Sequence, residues 1–425
     1  MQSRSRNAGE EPPASKLSSR RLGEKWRCLA PTTRRLLAAR WWRSIGQGAL
    51  VVDLALFLHA LGWRGVGIGL VLSAGGLAGA ALSLLVGVTS DRLRRKPFLL
   101  VYEGIVCLCA LAAMSTNSTA LLSAAIIVAG FGRGANGGAG PFAPAEQAWL
   151  AEAVAPQNRG MVYSLNTAIG FFGMATGALA AMLPPLLVPR LGEAGSFRPL
   201  FLLVLLGNAV NLILLATAAE RRSPRRERPK PAPSEGRRRE NGFLRRLVSL
   251  NLFNGIAIGL TSPLMAYWFA RRFHVGPAAI GPVLAATFAV TGIAALVVGR
   301  MTRQVGVVRA VVVSRSGGLL LLLLLPLAPT YWLAGLLYIL RSAFNRGTAG
   351  ARQALVVGAV DDQRRGFAIS LNALSMQLPQ SVGPAVAGAL IGAGWFATPF
   401  YLAAALQGIY LWCYGRMFGK WETEG

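Results

Sequence analysis

Charge is scarce in this sequence. Only 14% of its 425 residues are Asp, Glu, Lys or Arg, against about 25% in an average soluble domain. That shortfall, together with a mean hydropathy of +0.47, excludes an ordinary soluble globular protein and a disordered chain alike. Cysteine is equally sparse. Cys28, Cys107, Cys109 and Cys413 are the only four. They lack metal-ligand spacing and are expected to be free thiols, which excludes a disulfide scaffold. A Gly-x-x-x-x-Gly-Lys-Ser/Thr loop is missing, so ATP is not the expected energy source. Without a nucleophile beside a base partner, or a His/Cys cluster, neither an enzyme nor a bound cofactor or metal is expected. Acidic residues number 17 against 44 basic ones, a formal net charge of +27. Taken alone, that surplus would suggest a nucleic-acid partner.

Apolar residues make up 53% of the chain, and 50 residues are glycine. A helix needs about 20 apolar residues to cross the ~30 Å hydrocarbon layer. On that rule twelve spans are expected, near 44–62, 66–88, 97–115, 119–141, 163–184, 199–218, 248–270, 277–299, 308–328, 331–350, 367–391 and 396–415. Their Gly and Ala content suits close helix approach in a membrane bundle. The leucine run at 319–325 reads as lipid-facing. Lys and Arg concentrate in the tail before Arg43, the 92–96 loop, the 219–247 segment and the turns after the eighth, tenth and twelfth spans. By the positive-inside rule both termini are expected in the cytoplasm, in a cell (plasma or inner) membrane. The basic surplus then belongs to topology, and no nucleic acid is expected. No cleavable apolar leader is expected ahead of the first span.

The chain also repeats itself. Residues 145–166, AEQAWLAEAVAPQNRGMVYSLN, align without gaps on residues 351–372, ARQALVVGAVDDQRRGFAISLN, at an offset of 206. Gln147 pairs with Gln353, Arg159 with Arg365, Gly160 with Gly366 and Ser164-Leu165-Asn166 with Ser370-Leu371-Asn372; further on, Gly177 matches Gly383. The expected organisation is an all-α membrane protein of twelve helices in two pseudo-symmetric six-helix bundles. A basic tail covers 1–43, the first bundle 44–218, a cytoplasmic linker 219–247, the second bundle 248–415 and a short tail 416–425. Two such bundles can rock about a site near the membrane midplane, opening it to one side at a time.

Between the second and third spans, GVTSDRLRRKPFLL at 87–100 resembles the signature loop of the major facilitator superfamily, with Gly87, Asp91, Arg92, Arg95 and Lys96 in register. Thr89 replaces the usual Leu, and Arg94 stands where a second Gly is common. With the repeat and the spans, the resemblance covers residues 35 to 418. It implies that this loop is a latch holding the cytoplasmic face closed. The second-half counterpart at 299–309 has Arg303 where Asp91 stands. Arg133-x-x-Asn136-Gly137 on the fourth span resembles the Arg-x-x-Gln-Gly motif of proton-coupled exporters in that superfamily, with Asn136 replacing Gln. By that resemblance Arg133 is implied in proton coupling.

Ionisable groups at membrane depth are functional candidates by default. Asp53 on the first span is the expected proton carrier, Arg133 its modulator, and Glu103 on the third span a further coupling candidate. His59, about 240° round the helix from Asp53, is expected near the external interface. Gln47, Asn136, Asn251, Asn254, Tyr267, Trp268, Arg341, Asn345 and Gln377 are the expected cavity-lining residues, with Gln380 beside Gln377 on the eleventh span. The expected function is alternating-access secondary transport, specifically proton-coupled export of a small amphipathic or drug-like molecule by a monomer, driven by a proton gradient. An importer or uniporter of a polar metabolite is one alternative reading. A non-transporting membrane scaffold or lipid-handling protein of the same fold is another.

Overall fold

A computed structural model describes residues 30–89, 95–132, 146, 149–150, 153–154, 159–219, 234–348, 352–353, 355–356, 359–360 and 364–423. The first half contains α1 (Pro31–Ala60), α2 (Gly65–Thr89), α3 (Arg95–Ser115), α4 (Thr119–Ala129), α5 (Arg159–Ala180), α6 (Pro184–Gly195) and α7 (Arg198–Thr217). The second contains α8 (Ser234–Thr261), α9 (Met265–Phe273), α10 (Pro277–Val305), α11 (Val307–Leu324), α12 (Tyr331–Arg346), α13 (Arg365–Gln380), α14 (Gly383–Gly392) and α15 (Thr398–Thr423). Three segments are broken. Pro184 and Pro185 follow a 68° bend between α5 and α6. Pro263 interrupts the α8–α9 segment and Pro379 sits in the last turn of α13, because a proline supplies no N–H to the helix ladder. Counting α8–α9 and α13–α14 as one broken segment each, and α6 as the appendage of α5, the chain makes twelve successive passes.

Six helices among the described residues are long and apolar enough to cross a membrane unaided, Gly65–Leu85 and Val308–Leu327 among them. Their outer faces carry exposed large apolar side chains such as Leu108, Leu206, Val297 and Leu320, the pattern of a surface solvated by lipid. The leucine run is only partly of this kind. Leu320, Leu323 and Leu324 are exposed, whereas Leu322 and Leu325 are fully buried. Seven residues at 3.6 per turn cover every side of a helix, so one edge must face the bundle.

Equivalent positions of the two halves are built alike. Ser118 caps α4 by accepting from the Leu121 N–H, and Thr330 caps α12 in the same way from Leu333; both hydroxyls satisfy a helix-start amide. A methyl at Gly177 would overlap the Ile45 carbonyl of α1, and one at Gly383 would overlap the backbone of Gly259 on α8. The paired glycines of the repeat therefore do the same job, letting the fifth segment of each half lie directly on the first.

The halves join along two seams. On one, α5 meets α10, with Gly281 against the Ala178 carbonyl and Gly292 against Phe171. On the other, α2 meets α13 and α14. There Gly65 and Gly69 face Gly388 and Pro384, the Ala385 N–H donates to Ser73 Oγ at 2.9 Å, and Ser83 Oγ donates to Gln377 Oε1 at 3.4 Å. At the end of the bundle far from the chain termini, His59 of α1 stands edge-on to Tyr267 of α9, ring centroids 5.5 Å apart.

Candidate functional site

α1 begins at Pro31, well ahead of the span start expected near 44. Its first half is charged yet inward-facing. Arg40 and Arg43 are 2% and 7% exposed. Arg43 bridges two carboxylates, Nη1 to Glu103 Oε1 of α3 at 3.0 Å and Nη2 to Glu146 Oε2 at 2.8 Å. Glu103 and Glu146 are themselves buried. Pairing is what makes burial of these charges tolerable, and a rule based on apolarity stops short of such a turn. Glu103 is thus a bridge between α1 and α3. Arg43 and Glu146 were not among the expected site residues; Arg43 looked like the end of a basic tail, and Glu146 lies in the repeat, where its partner position is Arg352.

Asp53 is 1% exposed. Neither carboxylate oxygen has a hydrogen-bond partner among the described residues. Its face of α1 is fixed by Gly46 and Phe57, which meet Val204 and Phe201 of α7, so Asp53 is directed toward α7. Gly132, the last described residue before Arg133, rests against the Leu54 and Leu72 side chains, and Phe131 stacks edge-on against Phe201. The fourth segment therefore passes beside the Asp53 turn. Arg133 and Asn136 lie outside the described residues.

Of the signature loop, Asp91 and Arg92 are also outside the described residues, and Gly87 and Arg95 are described as helical backbone only. Lys96 is placed: its Nζ donates to the Ala216 and Ala218 carbonyls at 2.6 and 3.0 Å. Arg35 reaches the neighbouring Thr217 carbonyl. The two cations thus gather at the carbonyl end of α7, where positive charge is favoured.

In the second half, the contact between the first and third segments recurs with different chemistry. Arg315 of α11 is 2% exposed. Its Nη1 donates to Asn254 Oδ1 of α8 at 2.8 Å, its Nε to Thr348 Oγ1 at 3.4 Å, and its guanidinium lies 5.0 Å from the Tyr410 ring. The cation is on the first segment in one half and on the third in the other. Arg315 too was not among the expected residues, although the signal was present as an arginine inside an apolar span.

The remaining cavity candidates divide into two groups. Asn251 donates to Asn372 Oδ1 and Ser375 Oγ at 2.9 and 2.8 Å, Asn345 accepts from Gln407 at 2.8 Å, and Trp268 donates to the Phe396 carbonyl at 2.8 Å. With Asn254, these side chains tie helices of the second half together. Gln47, Tyr267, Gln377 and Arg341 are different. Tyr267 and Gln377 touch the opposite half at His59 and Ser83. Gln47 Oε1 and Arg341 Nε are buried and have no hydrogen-bond partner among the described residues. Gln380 lies on the α8 seam, its backbone against Gly255 and Gly259. No group of three or more His, Cys, Asp or Glu able to hold a metal occurs among the described residues.

The chain is similar to known proteins along most of its length. A family model described as Major Facilitator Superfamily matches residues 36–251 and 247–421. The "uncharacterized membrane protein YJR124C" of Saccharomyces cerevisiae is 24% identical over 402 residues, covering 86% of this chain and 89% of that protein. Among solved structures, a mutant of the nucleoside transporter NupG aligns with a TM-score of 0.70 at 14% identity, over 91% of this chain and all of that one (100%). A D-xylose-proton symporter aligns with a TM-score of 0.70 at 13% identity, over 90% and 96% of the respective chains. The twelve-pass architecture, the duplicated halves and these matches agree, and the chain belongs to the Major Facilitator Superfamily.

Proposed function

We propose that this transporter couples movement of a small amphipathic molecule to protons, and that it works as an exporter with Asp53 as the proton-carrying group. The observation that carries this reading is the buried carboxylate of Asp53, unpartnered among the described residues, in the apolar second half of α1. An ionised carboxylate at the centre of a membrane helix costs about 2.5–3.5 kcal/mol on insertion scales. A neutral, proton-bearing one avoids most of that cost. A carboxylate so placed gains from holding a proton in one state of the cycle and from meeting a cation in another. The passage of the fourth segment beside the same turn, with Gly132 against Leu54, supports Arg133, the next residue in the chain, as the cation for that second state. Export follows from the likeness of the Arg133–Gly137 segment to the motif of proton-coupled exporters. The solved relatives include a proton symporter by its printed name, so proton coupling has precedent on this architecture.

In this reading the ends of α1, α7, α8 and α15 near the termini lie on the cytoplasmic side of a cell membrane, where the basic segments gather. The seam at His59 and Tyr267 is then the external gate. The protein acts as a monomer, since each chain contains both halves of the site.

The test is proton movement in proteoliposomes holding the purified protein and a pH-sensitive dye, challenged with a panel of amphipathic cations, neutral drugs and anions. Wild-type protein is expected to collapse an imposed pH gradient when its substrate is added. Asp53→Asn is expected to bind that substrate and to move no protons. Proton-coupled flux by Asp53→Asn at the wild-type rate overturns the assignment.

A further inference from the structure

The second half has too few carboxylates for its arginines. After Glu240 the only acidic residues in the sequence are Asp361, Asp362, Glu422 and Glu424, so α9 to α12 contain none at all. Four arginines nevertheless gather inside this half. Arg315 and Arg341 are 2% and 5% exposed, and Arg346 and Arg352 are half-buried. Each of the first two lies within electrostatic reach of other arginines, Arg315 of Arg341 and Arg352, and Arg341 of Arg346. In the first half the same kind of interior charge is balanced, Arg43 being held by Glu103 and Glu146. At the repeat position of Glu146 the second half has Arg352.

Neutral partners satisfy only part of this charge. Arg315 meets Asn254, Thr348 and the Tyr410 ring, and none of its nitrogens is both buried and unpaired among the described residues. Arg341 and Arg346 differ. Arg341 Nη2 donates to Thr261 Oγ1 across to α8 at 3.2 Å, while its Nε is buried and unpaired among the described residues. Arg346 Nη2 donates to the Tyr338 hydroxyl at 3.2 Å, its guanidinium lies 5.9 Å from the Phe288 ring, and its Nη1 is buried and unpaired in the same sense. Two guanidinium groups on one helix thus present spare donors, Arg341 on the side of α8 and Arg346 on the side of α10. Buried cations without a counter-ion are expensive, and a carboxylate or phosphate matches the planar guanidinium fork best.

We propose that Arg341 and Arg346 form the anion-recognition element of the transport site, and that the transported molecule carries a carboxylate or phosphate group. This rests on the transporter reading above and narrows its substrate to an organic anion. No carboxylate meets Arg341 or Arg346 among the described residues, and this gives binding its driving force: an anion supplies the opposite charge that the two guanidinium groups call for. The three-residue contact of Arg315 holds α8 and α11 in place behind it, and the neutral Thr261 hydroxyl leaves Arg341 its charge for the ligand.

The test measures equilibrium binding without any gradient, so its outcome is separate from the proton-coupling test on Asp53. The full-length protein in a zwitterionic detergent is melted in the presence of benzoate, succinate, inorganic phosphate and the neutral analogue benzamide. At least one anion is expected to raise the melting temperature in a saturable way, and benzamide is expected to have no effect. Arg341→Gln should weaken the half-saturating concentration at least tenfold, and Arg341→Lys should retain part of the response.

Thr261→Asp guards against simple misfolding of the arginine variants. It places a carboxylate at the atom Arg341 already contacts, and is expected to raise the melting temperature and abolish the anion response. The proposal is overturned if Thr261→Asp melts no higher than wild type and still responds to anions, or if benzamide stabilises as well as benzoate. Stabilisation by phosphatidylglycerol nanodiscs, with no soluble anion effective, would assign the arginines to a lipid headgroup and also overturn it.

Discussion

Replacing Arg43 with methionine isolates the contribution of the buried bridge. Methionine replaces the apolar stem and lacks the charged end, so Glu103 and Glu146, both buried, lose the partner they approach at 3.0 and 2.8 Å. Breaking a buried pair by removing one partner costs about 3–5 kcal/mol, because the charge left behind is uncompensated. For a unit of 150–250 residues, each kcal/mol moves the melting temperature by about 2–4 °C, so a fall of about 6–20 °C is expected. The assay is thermal unfolding of the detergent-solubilised protein followed with a thiol-reactive dye, for which half-buried Cys107 and Cys109 report on the first half. A second variant decides whether the loss comes from charge or from packing. Arg43→Met combined with Glu103→Leu and Glu146→Gln removes all three charges, and such replacements are commonly neutral or stabilising. The triple variant should therefore recover most of the loss. A single variant as stable as wild type, or a triple variant as unstable as the single, would refute the reasoning.

The close helix contacts and the helix end at α7 give two further expectations. Gly177→Leu should lower the melting temperature, since even a methyl overlaps the Ile45 carbonyl and overpacking typically costs about 1–3 kcal/mol; Gly104→Ala, in a helix interior with no neighbouring atom within 4 Å, should not lower it. Lys96→Ala should cost about 0.3–2 kcal/mol in the same unfolding assay, by removing charge from the carbonyl end of α7.

Much of this architecture could be read from the residue pattern. Long unbroken apolar segments betray membrane passes because a helix satisfies its own backbone in lipid, and the match of Gly177 with Gly383 was visible as part of the repeat, though the contacts they make were not. The charged parts were harder. A hydropathy rule starts the first span near 44, yet Arg40 and Arg43 lie inside the bundle, because ion pairing across helices is a tertiary property that a window of one helix does not contain. Asp53 was identifiable from depth alone. Its direction toward α7 was not, since which face of α1 meets which neighbour depends on Gly46 and Phe57 and their partners. Asn251, Asn254 and Asn345 illustrate the same limit: polarity marked them as interior, but only the fold pairs them with Asn372, Arg315 and Gln407.

Movement of one half against the other is the claim on which the transport cycle depends. It is tested most directly by pulsed electron paramagnetic resonance between spin labels at the exposed positions His59→Cys and Arg271→Cys, with the four native cysteines replaced. His59 lies against Tyr267, one turn from Arg271, so the labels flank the joint between α1 and α9. The account predicts two distance populations, a short one matching the seam described here and a longer one, whose proportions change between pH 5 and pH 8 or on adding substrate. A single unchanging distance under every condition would contradict it.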